Sequence, residues 1–472
     1  MNILIISTNR SASPVPVVPN GACMVAEAVE RAGHSVKVLD LMFEQDPARS
    51  IGTELGRREY DVIGLSIRNI DNNDMQAPVF FIKDLPPLID AVRKSSDAPI
   101  VLGGASLAVM PEEILRATGA TCAVTGSGEV AFPRLLERMA RRDPYADLPG
   151  VAVLEGGKCS ANPPPSLPGA ASAPDYDRWL NMGAYRSHLS TVPLQSKLGC
   201  LFQCVYCTYR KIEGSTYRLF EPEGVAEAAL RLAAGLKDIE FVDNVFNAPY
   251  GHALSVCEAL IRARPGARFQ SVELNPAHFD HELLSAMERA GFVAMGITVE
   301  SASDQVLAGL RKGFTAGEVY RTAEIVRSHR LPCLWIFLLG GPGETHDTIR
   351  ETLRFAEKCI RPQDAAFFNI GIRVYPGTEL ETVARRQGLL SVTPGEMLSP
   401  VFYASPGVDV ALARRQVKDS LNNHMNFMSG ESFRFPHLPL IHQIGHRLGL
   451  RTPLWRYTRS IRRGLRFIGM DA

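Results

Sequence analysis

An excess of charge of either sign, a cysteine framework and any long apolar run are all missing from this 472-residue chain. Lysine and arginine together number 51 against 50 aspartates and glutamates, so no overall basic field argues for nucleic acid as a partner. The nine cysteines are odd in number and irregular in spacing, which argues against a secreted disulfide scaffold and for a reducing compartment. No membrane-spanning stretch is found, and Met1-Asn-Ile-Leu-Ile-Ile runs into a strand pattern without the basic start of a signal peptide. A cytoplasmic protein is expected. Histidine is scarce at the front of the chain, where His34 is the only one before residue 145. What is present is an apolar content of 46% over a length that supports two or three cores.

Residues 1–145 alternate short apolar runs with helical patterns. Ile3 to Ser7, Ser35 to Leu39, Val62 to Ser66, Ile100 to Leu102 and Ala123 to Thr125 read as strands. Segments such as Pro111 to Thr118 and Glu129 to Arg141 have helical periodicity, so the expected fold is α/β, a doubly wound Rossmann-like parallel sheet. Ligands of such sheets sit beyond the carboxyl ends of the strands. The loops there carry Thr8 and Asn9, Arg68 and Asn69, Gly103-Gly104-Ala-Ser106, and Thr125-Gly126-Ser127-Gly128-Glu129. Each alone is an ordinary strand-end loop, because glycine tolerates tight turns.

Residues 146–185, with Pro163-Pro-Pro, Pro168 and Pro174, read as an extended, semi-rigid linker. From about 186 to 390 the alternation resumes. Strands are expected at Thr191 to Leu198, Ile239 to Val242, Phe269 to Leu274, Val293 to Val299, Cys333 to Leu339 and Ala366 to Val374, making a partial (β/α)6 barrel. Residues 391–472 are expected to form a small, mainly helical region that covers substrate. From Ser432 onward there are eight arginines, the histidines His437, His442 and His446, and a single carboxylate, Asp471. Leu454, Tyr457, Ile461, Leu465 and Ile468 share one helical face there, with Arg456, Arg459, Arg463 and Arg466 on the other. Such a helix either docks its apolar stripe on the barrel or lies at an anionic membrane surface.

Chemistry is concentrated at Gly199-Cys200-Leu-Phe-Gln-Cys204-Val-Tyr206-Cys207, directly after the first barrel strand. The spacing crowds three soft thiolates into one short loop. Iron–sulfur clusters normally take four cysteine ligands, so three leave one iron open for another ligand. Structural zinc, the other candidate, usually has four ligands in paired spacings. Cys23, Cys122, Cys159, Cys257, Cys333 and Cys359 are scattered and read as structural.

Cys-x3-Cys-x2-Cys with an aromatic before the last cysteine resembles the signature of the radical SAM superfamily. The glycine-rich loops of residues 1–145 resemble the cobalamin-binding domain that precedes the barrel in many of its members. The resemblance covers residues 1 to about 390. It implies a [4Fe-4S] cluster on Cys200, Cys204 and Cys207, and S-adenosyl-L-methionine (SAM) held near Tyr206, Asp243, Glu300 and Ser301. Gly340, Gly341, Pro342 and Arg373 would belong to the same cofactor site, and Tyr375 either touches substrate or adenine or is a buried aromatic packing the barrel end. Lys312, in Leu-Arg-Lys-Gly, is either a family residue or a solvated helix-end charge. Cobalamin would lie against the loops at Thr8, Asn9, Arg68, Asn69, Gly103, Gly104, Ser106 and 125–129. The Asp-x-His-x-x-Gly loop that supplies histidine to cobalt in other cobalamin domains is absent, and Arg68 is the side chain expected nearest the lower face.

For most members the resemblance implies methylation of an unactivated carbon, here of a small-molecule or lipid-like substrate. An electron donor such as flavodoxin or ferredoxin is implied as partner, with no nucleic acid and with peripheral membrane contact through the basic helix as an option. Radical cyclisation, ring contraction or rearrangement without methyl transfer is the alternative chemistry. A non-catalytic iron–sulfur or corrinoid carrier is the non-enzyme alternative.

Overall fold

The computed structural model describes residues 1–164, 173–433 and 438–467. Its first sheet holds β1 (Asn2–Ser7), β2 (Ser35–Asp40), β3 (Val62–Ser66), β4 (Ile100–Gly103), β5 (Cys122–Val124), β6 (Val151–Glu155) and β7 (Lys158–Ala161), in the order 2-1-3-4-5-6-7. β1 to β5 are parallel. Their apolar residues serve two layers by alternation: Leu4, Ile6, Ile63 and Leu65 enter one core, and Ile3, Ile5, Val62 and Val101 the other. Strand order reverses at β1, which opens a crevice past the carboxyl ends of β1 and β3.

The sheet runs past residue 145, which corrects the expected linker. Gly156 (φ +55°) and Gly157 (φ +79°) form a two-residue turn that pairs β6 with β7 antiparallel. β6 in turn pairs antiparallel with β5. Pro165 and Pro168 lie outside the described residues. The remainder is docked, since the Tyr176 hydroxyl donates to Asn20 Oδ1 at 2.7 Å and the Tyr185 hydroxyl to Asp40 Oδ2 at 2.6 Å.

The second sheet is parallel throughout and strictly sequential: β8 (Val192–Leu194), β9 (Asp238–Phe241), β10 (Arg268–Leu274), β11 (Phe292–Glu300), β12 (Cys333–Leu339), β13 (Ala365–Ile370) and β14 (Phe427–Ser429). The expected six strands are present. A seventh, β14, comes from the C-terminal region, and β8 and β14 are the unpaired edges of an open barrel.

The C-terminal region serves both ends of this barrel. Ser405 N–H donates to Gly340 O at 2.9 Å, past the carboxyl end of β12. Residues 451–467 lie instead under the amino ends. Arg268, opening β10, donates to Thr452 O at 2.6 Å, and Arg462 donates to the carbonyls of Leu421, His424 and Phe427 before and at the start of β14. That segment therefore does not cover a substrate at the mouth. Its apolar stripe does not simply pack inward either: Ile461 is exposed while Arg462 is buried. His437, Ile468 and Asp471 lie outside the described residues, as does the side chain of Leu465. No helix among the described residues is long and apolar enough to cross a membrane.

The loop after β3 locks the two units together. Asp71 (0% exposed) accepts Arg373 Nε at 2.7 Å, and Arg373 (4% exposed) also donates to Met397 O at 2.7 Å. The Tyr375 hydroxyl donates to Asn73 Oδ1 at 2.8 Å.

Candidate active site

The cysteine loop leaves the barrel at its carboxyl mouth. Glu213 anchors its start, accepting Gly199 N–H at 3.0 Å and Asn244 Nδ2 at 2.6 Å. Gly199 adopts φ +86°, and a Cβ there would stand 2.0 Å from Thr216 O, so no other residue fits the turn. Cys200 N–H donates to Gly214 O at 3.2 Å, Val205 N–H to Leu310 O at 3.1 Å and Cys207 N–H to Cys204 O at 3.1 Å. Backbone bonds thus set the shape of the loop. Cys200, Cys204 and Cys207 are free thiols. Burial pushes Cys207 up to about 12, with Cys204 and Cys200 acting in the same direction. Among the described residues no three His, Cys, Asp or Glu side chains converge as for a single metal ion. A cuboidal cluster places its thiolates on separate irons. Three free thiols around one short loop suit that demand.

Beside the loop, β11 slips register between Thr298 and Glu300, and Glu300 takes φ +62°. A left-handed non-glycine residue costs about 1–3 kcal/mol and persists only where its surroundings enforce it. Here the twist aims the carboxylate at Tyr206, whose hydroxyl donates to Glu300 Oε1 at 2.5 Å, and at Lys312, whose Nζ lies 3.1 Å from the same oxygen. Lys312 is 5% exposed, which rules out a solvated helix-end charge. Burial works against its charge, but Glu300 wins and holds its pKa above the usual lysine range.

Glu273, ending β10, carries no hydrogen bond from its carboxyl among the described residues. Burial, then the charge of Glu300, pushes it up to about 8 in spite of Lys312. The ordinary value is 4.5, so deprotonation costs the folded state more than the unfolded chain, and the penalty grows from pH 4.5 to about 8. Glu273→Gln is therefore expected to leave stability unchanged near pH 4 and raise the melting temperature above pH 8. Thermal scans across that range, with an equal shift at both ends, would sink the assignment. Tyr209, which sequence reasoning passed over, lies in the same space: Glu273, Cys207 and Arg68 all act on its hydroxyl. Its position two residues past the last cysteine was the available signal.

Three expected SAM contacts are engaged elsewhere. Asp243 is 1% exposed; it accepts Ser196 N–H at 2.8 Å and Ser196 Oγ at 2.6 Å, and pairs with Lys197 Nζ at 3.6 Å. It ties β9 to the start of the cysteine loop. Ser301 is fully buried, its Oγ 3.0 Å from Thr352 Oγ1. Arg373 belongs to the lock with Asp71. The N–H groups of Gly340 and Gly341 donate to Glu344 Oε2 at 2.5 and 3.1 Å, and Pro342 packs where a Cβ on Gly309 would stand. That segment folds on itself beside the mouth.

Between the domains lies a cavity of about 270 Å³. Ser66, Gly103, Gly104, Gly126, Ser127, Gly128 and Glu129 wall it from the first domain, and Gln195, Leu198, Ile212, Glu213 and Arg218 from the barrel. A Cβ on Gly103 would meet nothing within 4 Å, so the missing side chain leaves open space. Gly104 (φ +101°) is needed for another reason, since a Cβ there would stand 2.3 Å from Ile67 O. The other expected residues lie outside the wall. Thr8 Oγ1 donates to Ser66 O at 2.8 Å, and Thr125 N–H to Gly150 O at 2.9 Å. Asn9 Nδ2 and Ser106 Oγ are buried without a hydrogen-bond partner among the described residues. Arg68 and Asn69 are exposed. Partial loss of solvation lowers the pKa of Arg68, while Tyr209 and Glu240 of the barrel act to raise it.

A three-thiol loop at a barrel mouth, opposed by a glycine-walled cleft on a doubly wound sheet, defines a protein built for two cofactors at one junction. Residues 196–356 match the model of the radical SAM superfamily, and residues 7–136 that of the B12 binding domain. The chain belongs to the radical SAM enzymes that carry an N-terminal cobalamin-binding domain. It is 26% identical to an uncharacterized methyltransferase of Pyrococcus horikoshii, over 79% of each chain. It is also 26% identical to the hopanoid C-3 methylase of Methylococcus capsulatus, over 78% of this chain and 69% of that one. The fold superposes on the radical SAM methyltransferase TsrM of Kitasatospora setae, solved with cobalamin and a [4Fe-4S] cluster, with a TM-score of 0.86 at 21% identity over 99% and 98% of the two chains.

Proposed function

We propose that this enzyme methylates a carbon of a small-molecule substrate, with SAM and cobalamin as cofactors. The observation that carries the reading is a cavity walled by both domains, with the glycine-rich loops at Gly103-Gly104 and 126–129 on one side and Leu198 and Glu213, which flank the cysteine loop, on the other. In this reading Cys200, Cys204 and Cys207 hold the cluster. Tyr206, Glu300 and Lys312 form the polar wall beside its open position. Gly340 to Pro342 shape the adenosine side, and the loops at Gly103-Gly104 and 126–129 admit the nucleotide end of cobalamin. When bound, the cluster supplies the electron that cleaves SAM and cobalamin supplies the methyl group.

The chain's own residues do the positioning. Lys312 pairs with Glu300 and holds its carboxylate turned inward. Asp71 and Arg373 hold the loop bearing Arg68 at the barrel mouth, where its charge would face bound cobalamin. Closure of the two domains over the cavity excludes water. The functional units are then the first sheet as the cobalamin domain, the docked linker, the barrel through residue 390, and the C-terminal region. A flavodoxin- or ferredoxin-type protein would deliver electrons.

The test is anaerobic turnover of cluster-reconstituted, cobalamin-loaded protein with SAM, reductant and an extract of candidate substrates. Matched formation of 5'-deoxyadenosine and S-adenosylhomocysteine is expected. Deoxyadenosine alone would replace methylation with a rearrangement or cyclisation.

A further inference from the structure

The helix Leu438–Arg447 docks by one side only. His442 and Gly445 are buried, and a Cβ on Gly445 would stand 3.5 Å from Leu189 Cδ1. The other side presents Leu440 (54% exposed), Ile441 (47%) and Ile444 (47%), and Leu448 (76%) follows the helix in the same i, i+4 series. Downstream, Ile461 is 45% and Phe467 91% exposed. Elsewhere in the chain exposed large apolar residues are scattered rather than grouped in one short segment.

The charge of this segment is one-sided as well. Residues 438–467 contain seven arginines and no aspartate or glutamate. Arg462 donates to Phe427 O at the start of β14, and Arg466 to Asn422 O. The side chains of Arg447, Arg451, Arg456, Arg459 and Arg463 are exposed and form no hydrogen bond or ion pair among the described residues. Apolar side chains beside unneutralised arginines complement an anionic bilayer, where carbon chains receive the former and phosphates the latter.

We propose that residues 438–467 dock the enzyme on an anionic lipid surface, with Leu440, Ile444 and Leu448 entering the headgroup boundary. The part from Thr452 onward lies under the amino ends of the barrel strands, so the docked enzyme keeps its cofactor mouth free. The surface is thus a tether rather than a substrate entrance.

The test is sedimentation of the full-length protein with vesicles of phosphatidylcholine alone and with added phosphatidylglycerol. Binding is expected to be about tenfold tighter to the anionic vesicles and to weaken as salt shortens the screening length. Leu440→Glu/Leu448→Glu and Arg459→Glu/Arg463→Glu should each weaken it about tenfold, with unchanged circular dichroism and melting. Equal binding to both vesicles, or to neither, overturns the proposal. So does full binding by the leucine variant, which would mark a general polyanion surface, as capture of an RNA oligonucleotide would confirm. A dimer in gel filtration that Leu440→Glu dissolves, without vesicle binding, would assign the stripe to a second copy of the chain.

Discussion

Cys200→Ala protein is expected to retain no [4Fe-4S] cluster after reconstitution and to cleave no SAM, while melting within a few degrees of the parent. The two halves of this expectation have different causes. A cluster held by three thiolates already lacks its fourth cysteine, so losing another leaves two ligands on a cuboid that needs every one. The loop, by contrast, owes its path to Glu213 binding Gly199 and to the backbone bonds of Cys200, Val205 and Cys207. None of these involves sulfur. Removing one buried sulfur costs on the order of 1 kcal/mol of transfer free energy. Iron and sulfide analysis, the visible absorption of the cluster and a thermal melt together decide the matter. A variant that keeps a full cluster, or still releases 5'-deoxyadenosine, would remove the cysteine loop from the mechanism.

Arg373→Ala should be the most destabilising single change at the junction, by about 3–5 kcal/mol. Asp71 is 0% exposed, and Arg373 Nε at 2.7 Å is its charge partner. Deleting the guanidinium leaves a buried carboxylate without a counter-charge, together with a Met397 carbonyl that loses its donor. Asp71→Asn in the same chain should recover a large part of the loss, because the uncompensated charge is then gone. Denaturant unfolding of the two single variants and the double completes a thermodynamic cycle. An additive double variant would show that the pair is not coupled. Limited proteolysis adds a second reading, since cleavage in the linker should accelerate in Arg373→Ala if the domains separate.

Much of the scaffold was legible because parallel strands buried on both faces announce themselves as short apolar runs. Val62 to Ser66 and Cys333 to Leu339 were read with their observed limits. The hairpin of β6 and β7 was missed because the proline-rich stretch after it dominated the reading, although Gly156-Gly157 between two strand-like segments was the signal. β14 was missed because three residues show no periodicity. The site divides in the same way. The cysteines, the turn glycines and Glu300 were singled out by local motif, which needs no knowledge of distant partners. Asp243, Ser301 and Arg373 were read as facing the mouth because a polar residue at a strand end can turn either way, and only the partner decides. For Arg373 that partner lies 302 residues earlier in the chain. Lys312 stood open between two readings for the same reason, until Glu300 appeared beside it.

The lock at Asp71 also limits how far the two halves can be exchanged. A chimera that joins the front sheet of one relative to the barrel of another would bring together an aspartate and an arginine that evolved in different chains. Either both arrive, or a lone charge is sealed in the seam. The Asn73–Tyr375 contact, at 2.8 Å, adds a second match to be met at the same interface. Domain shuffling within this architecture should therefore succeed only where the loop after β3 travels with residues 373–375, and that short pairing is the first thing to transplant when building hybrids.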